Sequence, residues 1–454
     1  MRPFRTRLAP VGWIMETKQT EKSDFRYNTG DANVPWDAVA VKPDTSLVMD
    51  VVRFLIGAGA NAGAYAAAAD QVAKAVEELY RHGQPATKLS LGGQVKAVED
   101  LVRQYLGCAY ASFVVNWTAG YDIALDLAGV RAGDEVIIPA ITFIATAAPA
   151  LRKGARIVFA DVHRDTVNLD PADVARKITP RTKAIVPVHI GGYPVEMGPL
   201  MDLARQKGIA VIEDAAHGFG GTYKGQRLGT IGDFGAYSFH EVKNITALGE
   251  GGMVVTNSEL GAQFAKARFC GFDLETPPPR TWLYNISPVY SRDGHPSVPS
   301  NFSTTEIQAV ALLNHIRRND QIIAQRRAVA QRLHDAFRPV PGLLPGPLPS
   351  PDYGSTCHLF LLRVDPMVIP GGIQPFKQAL ASKGVTQIAH FCPLYHYKLF
   401  AELGYDPAAI ARSCPGAEQI FFEHYTHLPL YGLSEEAIQY LIDAVIQTAR
   451  ELKA

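Results

Sequence analysis

Two hydrophobic rhythms alternate along most of this chain. Short runs of consecutive apolar residues, at 112–115, 136–138, 156–160, 184–188, 209–212 and 236–239, have the length and composition of strands buried on both faces. Between them, apolar positions recur every three or four residues. Val95, Val98, Leu101, Val102 and Tyr105 make one such stripe, entered through Leu91-Gly92-Gly93 and closed by Gly107, and residues 171–178 and 199–207 make others. Strands alternating with helices predict an α/β fold with a largely parallel sheet and helices on both faces.

The flanks read differently. Residues 1–45 are polar and hold no period, which predicts an arm or a disordered lead. From 46 to 80 the pattern turns helical, with Val72, Val76, Leu79 and Tyr80 on one face behind the alanine run 66–69. After a helix candidate at 260–269 comes an irregular stretch, 271–299, holding Pro277, Pro278, Pro279, Pro288, Pro296 and Pro299. A long helical pattern at 306–333 then bridges to a proline-dense boundary at 339–351. Beyond it lie a strand at 358–364, a helix at 374–383, a strand at 387–391 and a last helix at 435–452. The expected organisation is an N-terminal arm and helical extension (1–88), a large domain (89–320) and a smaller α+β C-terminal domain (321–454).

Candidate chemistry gathers in the stretch 211–257. The run 209–212 delivers Glu213 and Asp214 to its C-terminal end, with His217 three residues beyond, and the run 236–239 delivers His240 and Lys243 before a glycine-rich turn at 248–252. Open α/β sheets bind ligands at that edge. A lysine in a partly desolvated pocket has a lowered pKa and a free amine for Schiff-base chemistry. A carboxylate facing a pyridine nitrogen keeps that nitrogen protonated, which makes pyridoxal phosphate an electron sink. One acid and one lysine alone are better explained by a helix cap and a solvated loop side chain. The text around them decides the matter.

EDAAHGFGG, GDFGAYSFHEVKN and GEGGMVVTN resemble the active-site region of the DegT/DnrJ/EryC1/StrS family, pyridoxal-phosphate sugar aminotransferases of fold type I. The likeness runs more loosely from about residue 91 to the C-terminus. It implies that Lys243 carries the cofactor, that Asp214 meets the pyridine nitrogen, that His217 lies near the phenolic oxygen, that Ser238 binds phosphate and that Phe143 stacks on the ring. The strand–turn–helix at Asn116-Trp117-Thr118-Ala119-Gly120 has the form of an anion site. The resemblance places the phosphate cradle there, at Thr118 and Ala119, with Trp117 where the family has glycine. Residues 299–309 resemble the segment that reaches the phosphate of the neighbouring subunit. Asn301 fits that pattern, Ser303 stands where arginine is common, and a homodimer with shared active sites is implied. His390, Tyr395 and His396 fall in a stretch that borders substrate in relatives. His189, at a strand end on the same edge, and His240, beside Lys243, are read either as substrate contacts or as structural histidines.

The leading reading is an aminotransferase. Lys243 holds the cofactor and, once released, is the base for proton transfer; glutamate or glutamine supplies the amine, and a nucleotide-linked keto sugar or a keto-cyclitol receives it. A dehydratase of the same family, or other carbon–nitrogen chemistry on this fold, is the alternative, although that branch replaces the lysine with histidine. A non-catalytic binding or regulatory protein is the third reading.

Lys+Arg and Asp+Glu number 44 each, so no net charge favours a nucleic-acid partner. Five dispersed cysteines without C-x-x-C spacing read as reduced thiols of a cytoplasmic protein. No long apolar run predicts a membrane span, and the thirteen histidines form no metal-binding pattern. Residues 1–22 imitate a signal peptide too weakly to predict targeting, and Met15 is a candidate start.

Overall fold

In the computed structural model, residues 39–273, 284–387 and 391–453 are described. Most of the expected lead arm, Met15 and His390 lie outside them. A seven-stranded sheet organises the rest: β1 (Tyr110–Val114), β2 (Glu135–Pro139), β3 (Arg156–Ala160), β4 (Thr182–Ile185), β5 (Ala210–Asp214), β6 (Phe234–Ser238) and β7 (Gly252–Thr256). Their spatial order is β1-β7-β6-β5-β4-β2-β3. All neighbours pair in parallel except β7, which runs antiparallel to both β1 and β6. The fold is thus α/β with a mainly parallel sheet, as the alternation predicts.

Strands β2, β5, β6 and β7 are buried along their whole length. Their side chains feed two different cores, because alternate residues of a strand point to opposite faces. Val136, Ile138, Ala210 and Ile212 enter one cluster, while Ile137 and Val211 enter another on the far side. Continuous apolar runs are what a sheet covered on both faces requires.

Helix α1 (Thr45–Leu55) and helix α2 (Ala62–His82) split the N-terminal helical pattern in two, with Asn61 capping the second. Helix α3 (Gly93–Leu106) buries Val95, Val98, Val102 and Leu106 but has no side-chain cap of its own. Its cap comes from far along the chain. Glu306, which opens helix α5, accepts from the backbone N–H groups of Gly92 (2.8 Å), Gln94 (2.8 Å) and Val95 (3.2 Å). Helix α4 (Trp117–Ala128) starts at Asn116, whose side chain accepts from the Ala119 N–H, and stops at Gly129 in the left-handed region. The single helical pattern expected at 306–333 is two helices, α5 (Glu306–Ile316) and α6 (Asn319–Phe337). The break falls at Arg317–Arg318, just before the fully buried Asn319, whose amide donates to the Tyr105 hydroxyl at 2.9 Å.

The C-terminal part has a three-stranded antiparallel sheet, β8 (Leu343–Pro345), β9 (Phe360–Val364) and β10 (Tyr425–Leu428), in the order β8-β9-β10. Helix α7 (Ile373–Ser382) and helix α8 (Glu435–Lys453) supply its core with Phe376, Leu380, Leu441 and Val445. Residues 388–390, the middle of the strand expected at 387–391, lie outside the described residues; the strand that pairs with β9 on this side is β10. Pro393 lies just beyond it. The chain turns at that proline back to the large sheet, where the Leu394 N–H donates to the Ala140 carbonyl and the Ile157 N–H to the Tyr405 hydroxyl. Leu394, Tyr395, Phe400 and Tyr405 therefore pack in the large core rather than the small one. No helix among the described residues is long and apolar enough to cross a membrane, and no group of side chains there could hold a metal ion.

Candidate active site

The C-terminal ends of β2, β5 and β6 and the N-terminus of α4 meet at one edge of the sheet. Asp214 ends β5 and is 5% exposed. Its carboxylate accepts from the Thr146 hydroxyl (3.0 Å) and from the Ala216 N–H (3.1 Å), and Thr146 is held in turn by Thr142 at 2.9 Å. Burial pushes the Asp214 pKa up to about 6, against the pull of these donors and of Lys243. Lys243 lies in the loop after β6, where its backbone N–H donates to the His240 carbonyl at 2.9 Å. It keeps some contact with solvent, yet protein crowds its amine enough to pull its pKa down to about 8, with Asp214 acting in the opposite sense. Each group thus carries a charge that its surroundings disfavour and that the other partly stabilises.

Around this pair stand the other expected residues. Ser238 is buried at the end of β6, its hydroxyl 3.4 Å from the His240 N–H. His217 is buried too, with Nδ1 accepting from the Gly191 N–H at 3.3 Å, so that its neutral ring carries the proton on Nε2. Phe143 follows β2 and is 62% exposed. A phenylalanine at that position would ordinarily be core; here an apolar ring is left open to a ligand at the sheet edge. Thr118 and Ala119 lie in the first turn of α4, where backbone N–H groups and the helix dipole attract anions.

Trp117, the departure from the glycine expected at that site, turns away from the ligand edge. It is 5% exposed, stacks on Tyr121 with ring centres 4.8 Å apart, and donates its indole N–H to the Ala236 carbonyl of β6 at 3.0 Å. The indole therefore fills the core beneath the helix N-terminus and leaves the cradle clear. Space on the other side comes from Gly252, where a Cβ would fall 2.2 Å from the Asn116 carbonyl carbon. Trp117→Ala is expected to cost about 3–5 kcal/mol, more than Trp117→Phe, which loses the hydrogen bond, worth about 1 kcal/mol, and only part of the ring volume. Denaturant unfolding measures both, and a cost below about 1 kcal/mol for the alanine variant would show that the indole is not a core side chain.

The remaining candidates sit elsewhere. His189 is fully buried, bonded through Nε2 to Glu213 (3.0 Å) and through Nδ1 to the Val195 N–H (3.1 Å). Glu213 also accepts from the N–H groups of Gly229, Ile231 and Gly232, so the pair ties the β5–β6 connection together behind Asp214. This is the geometry of a structural histidine. His240 is partly exposed, 3.7 Å from Glu250. Tyr395 is buried, and both its hydroxyl (2.5 Å) and His396 Nε2 (2.6 Å) meet the Glu418 carboxylate. Asn301 is exposed, on a segment bridged to Phe269, and accepts from the Ser303 N–H.

Four residues that sequence reasoning did not single out complete the site: Thr142 and Thr146 at Asp214, Asn244 beside Lys243, and His358. His358 arrives from the segment before β9, stacks on His217 with ring centres 4.1 Å apart, and bonds to the Asn244 side chain at 2.9 Å. Thr356 of that segment donates its hydroxyl to the His217 carbonyl at 2.6 Å. The close approach requires glycine at 192, where φ is +82° and a Cβ would overlap the Thr356 hydroxyl. No local pattern announces these residues, because their partners are 68 (Thr146), 114 (His358) and 139 (Thr356) positions away.

The edge thus offers a buried acid, an amine of lowered basicity, an N–H from His217, an open aromatic face and a helix N-terminus. Comparison with known proteins identifies the family. The spore coat polysaccharide biosynthesis protein SpsC of Bacillus subtilis (strain 168) is 32% identical over 372 residues, which cover 79% of this chain and 90% of that protein. The crystal structure of 3-amino-5-hydroxybenzoic acid synthase is 30% identical with a TM-score of 0.68, covering 79% of this chain and 91% of that one. The aminotransferase TlmJ from Streptoalloteichus hindustanus is 28% identical with a TM-score of 0.72, covering 84% and 96%. Residues 67–446 match the DegT/DnrJ/EryC1/StrS aminotransferase family. The chain belongs to that family and is an aminotransferase.

Proposed function

We propose that Lys243 binds pyridoxal phosphate covalently and that the protein transfers an amino group from glutamate or glutamine to a nucleotide-linked keto sugar or a keto-cyclitol. The observation that carries this reading is the mutual electrostatics of Asp214 and Lys243, an acid with its pKa raised and an amine with its pKa lowered at one sheet edge. When bound, the cofactor supplies an electron sink for carbanion character at the substrate carbon. The rest is done by the chain. Asp214, oriented by Thr146 and Ala216, holds a proton on the pyridine nitrogen, and a cationic partner there relieves the cost of its own burial. Phe143 covers the ring face, while Ser238 and Thr118 take the phosphate at the α4 N-terminus; the expected Ala119 N–H is already held by the Asn116 side chain. The Lys243 amine, freed from the cofactor, takes and returns the proton at the substrate carbon; its lowered pKa suits it to act as a base near neutral pH.

The same reading makes the protein a homodimer with Asn301 offered to the partner's phosphate site. Support comes from the exposed position of Asn301 and from the N-terminal helices. Helix α2 buries no residue and α1 only Met49, while Leu47, Val51, Phe54, Val72 and Leu79 are exposed, an apolar surface that a second copy would cover.

Glutamate or glutamine added to the protein loaded with pyridoxal phosphate is expected to abolish the long-wavelength absorbance of the lysine-bound cofactor, and a keto sugar or keto-cyclitol to restore it. A spectrum unmoved by either amino donor would defeat the proposal.

A further inference from the structure

We propose that His358 is a positioning residue, a strut between the Lys243 loop and His217 that keeps the His217 N–H aimed at the phenolic oxygen of the cofactor. The proposal rests on the cofactor reading above, together with the place near the phenolic oxygen that the family resemblance implies for His217, and extends both to a residue which neither uses.

Hydrogen bonding sets the protons. The Asn244 amide group donates to the Thr356 carbonyl at 3.2 Å, so its oxygen faces His358 Nδ1 and that nitrogen is the donor. His358 is buried, and its backbone N–H donates to the Gly191 carbonyl at 2.8 Å. Gly191 also donates to His217 Nδ1. One short segment, 355–358, thus grips three parts of the site: the 191–192 turn, the His217 backbone and ring, and the residue after Lys243. The stacked rings, inclined at 29°, leave His217 little freedom to tilt, and a proton on either ring disfavours one on the other. The charged and titratable groups packed on the segment are Arg326, which donates to the His358 carbonyl at 3.5 Å, Arg327, which donates to the Ser355 carbonyl at 2.7 Å, both from α6, and Cys357 between them.

An N–H held on the phenolic oxygen stabilises negative charge there and so weakens the hold on the proton of the lysine–cofactor link. Without the strut that donor loosens and the link keeps its proton to higher pH. The test uses the full-length protein loaded with pyridoxal phosphate, its absorbance titrated with pH in the parent, in His358→Phe, in Asn244→Ala and in the double variant. His358→Phe keeps a stacking face and loses the N–H to Asn244. Each single change is expected to raise the titration midpoint by about 0.5–1 pH unit, and the double change by no more than the larger single effect, since the two residues act as one unit. If His358→Phe does not fold, Asn244→Ala carries the test alone. Unmoved midpoints in the folded variants, or shifts that add in full, overturn the strut while leaving the cofactor reading intact; a parent protein with no lysine-bound chromophore overturns both.

Discussion

Exchange of Lys243 for alanine is expected to remove the lysine-bound absorbance and to slow amino transfer by at least about 1,000-fold, because one amine serves both as the attachment point and as the base. Binding of pyridoxal phosphate need not vanish, since Asp214, Phe143 and the α4 N-terminus remain. The chemical contribution therefore separates from the binding contribution: cofactor held without its characteristic spectrum. A variant that kept the parent spectrum would show that another residue makes the link. The pH dependence has a definite sign. Only the neutral amine attacks, burial lowers the Lys243 pKa to about 8, and Asp214 raises it. Attachment of cofactor to the cofactor-free protein should accelerate as pH rises through about 8 and level off above. In Asp214→Asn the midpoint should fall, because an attraction that held the proton on the amine is gone.

That second variant has opposite effects on stability and activity. The Asp214 pKa rises from 3.8 to about 6 on burial. Between those values the folded state binds a proton that the unfolded state has released, so stability falls as pH rises through the window, and the cost is complete above about pH 6. Asp214→Asn abolishes this titration. The cofactor-free variant should be more stable than the parent by about 1–3 kcal/mol at neutral pH, with the difference vanishing below the unfolded-state pKa. Transfer should fall about 100- to 10,000-fold, because the pyridine nitrogen loses its charged partner. The added stability that bound cofactor gives the parent should also shrink. Thermal unfolding at neutral and acid pH, with and without pyridoxal phosphate, measures all of these. A cofactor-free variant less stable than the parent at neutral pH would show that Asp214 is well solvated.

Much of this site is legible in the sequence because the residues that make it are consecutive. Strand β5 announces itself as an apolar run and places Asp214 at its end; β6 does the same for Ser238 and the Lys243 loop. Contacts between distant segments are not legible in that way. Trp117 occupies a ligand-facing position in the linear pattern, and only the packing of α4 against β6 and β7 shows the indole turned inward. His189 lies at a strand end on the ligand edge, yet its partner Glu213 lies inside the sheet, so the ring follows the partner and is buried. Leu394 and Tyr395 lie beyond the proline-dense boundary in the sequence yet pack in the large core, which no local pattern shows. The single helical pattern at 306–333 breaks just before Asn319, which is buried and donates to the Tyr105 hydroxyl.

The capping of α3 by Glu306 bears on how the chain reaches this structure. A first turn whose three N–H groups find their acceptor more than 200 positions downstream cannot be completed by local collapse. During synthesis the segment around residue 93 must wait for the middle of the chain to emerge, and loop closure over that span precedes any gain from the contact. Slow, non-local assembly follows. Glu306→Gln, which weakens the acceptor and keeps the side chain's shape, should retard refolding more than it hastens unfolding if this closure belongs to the rate-limiting step.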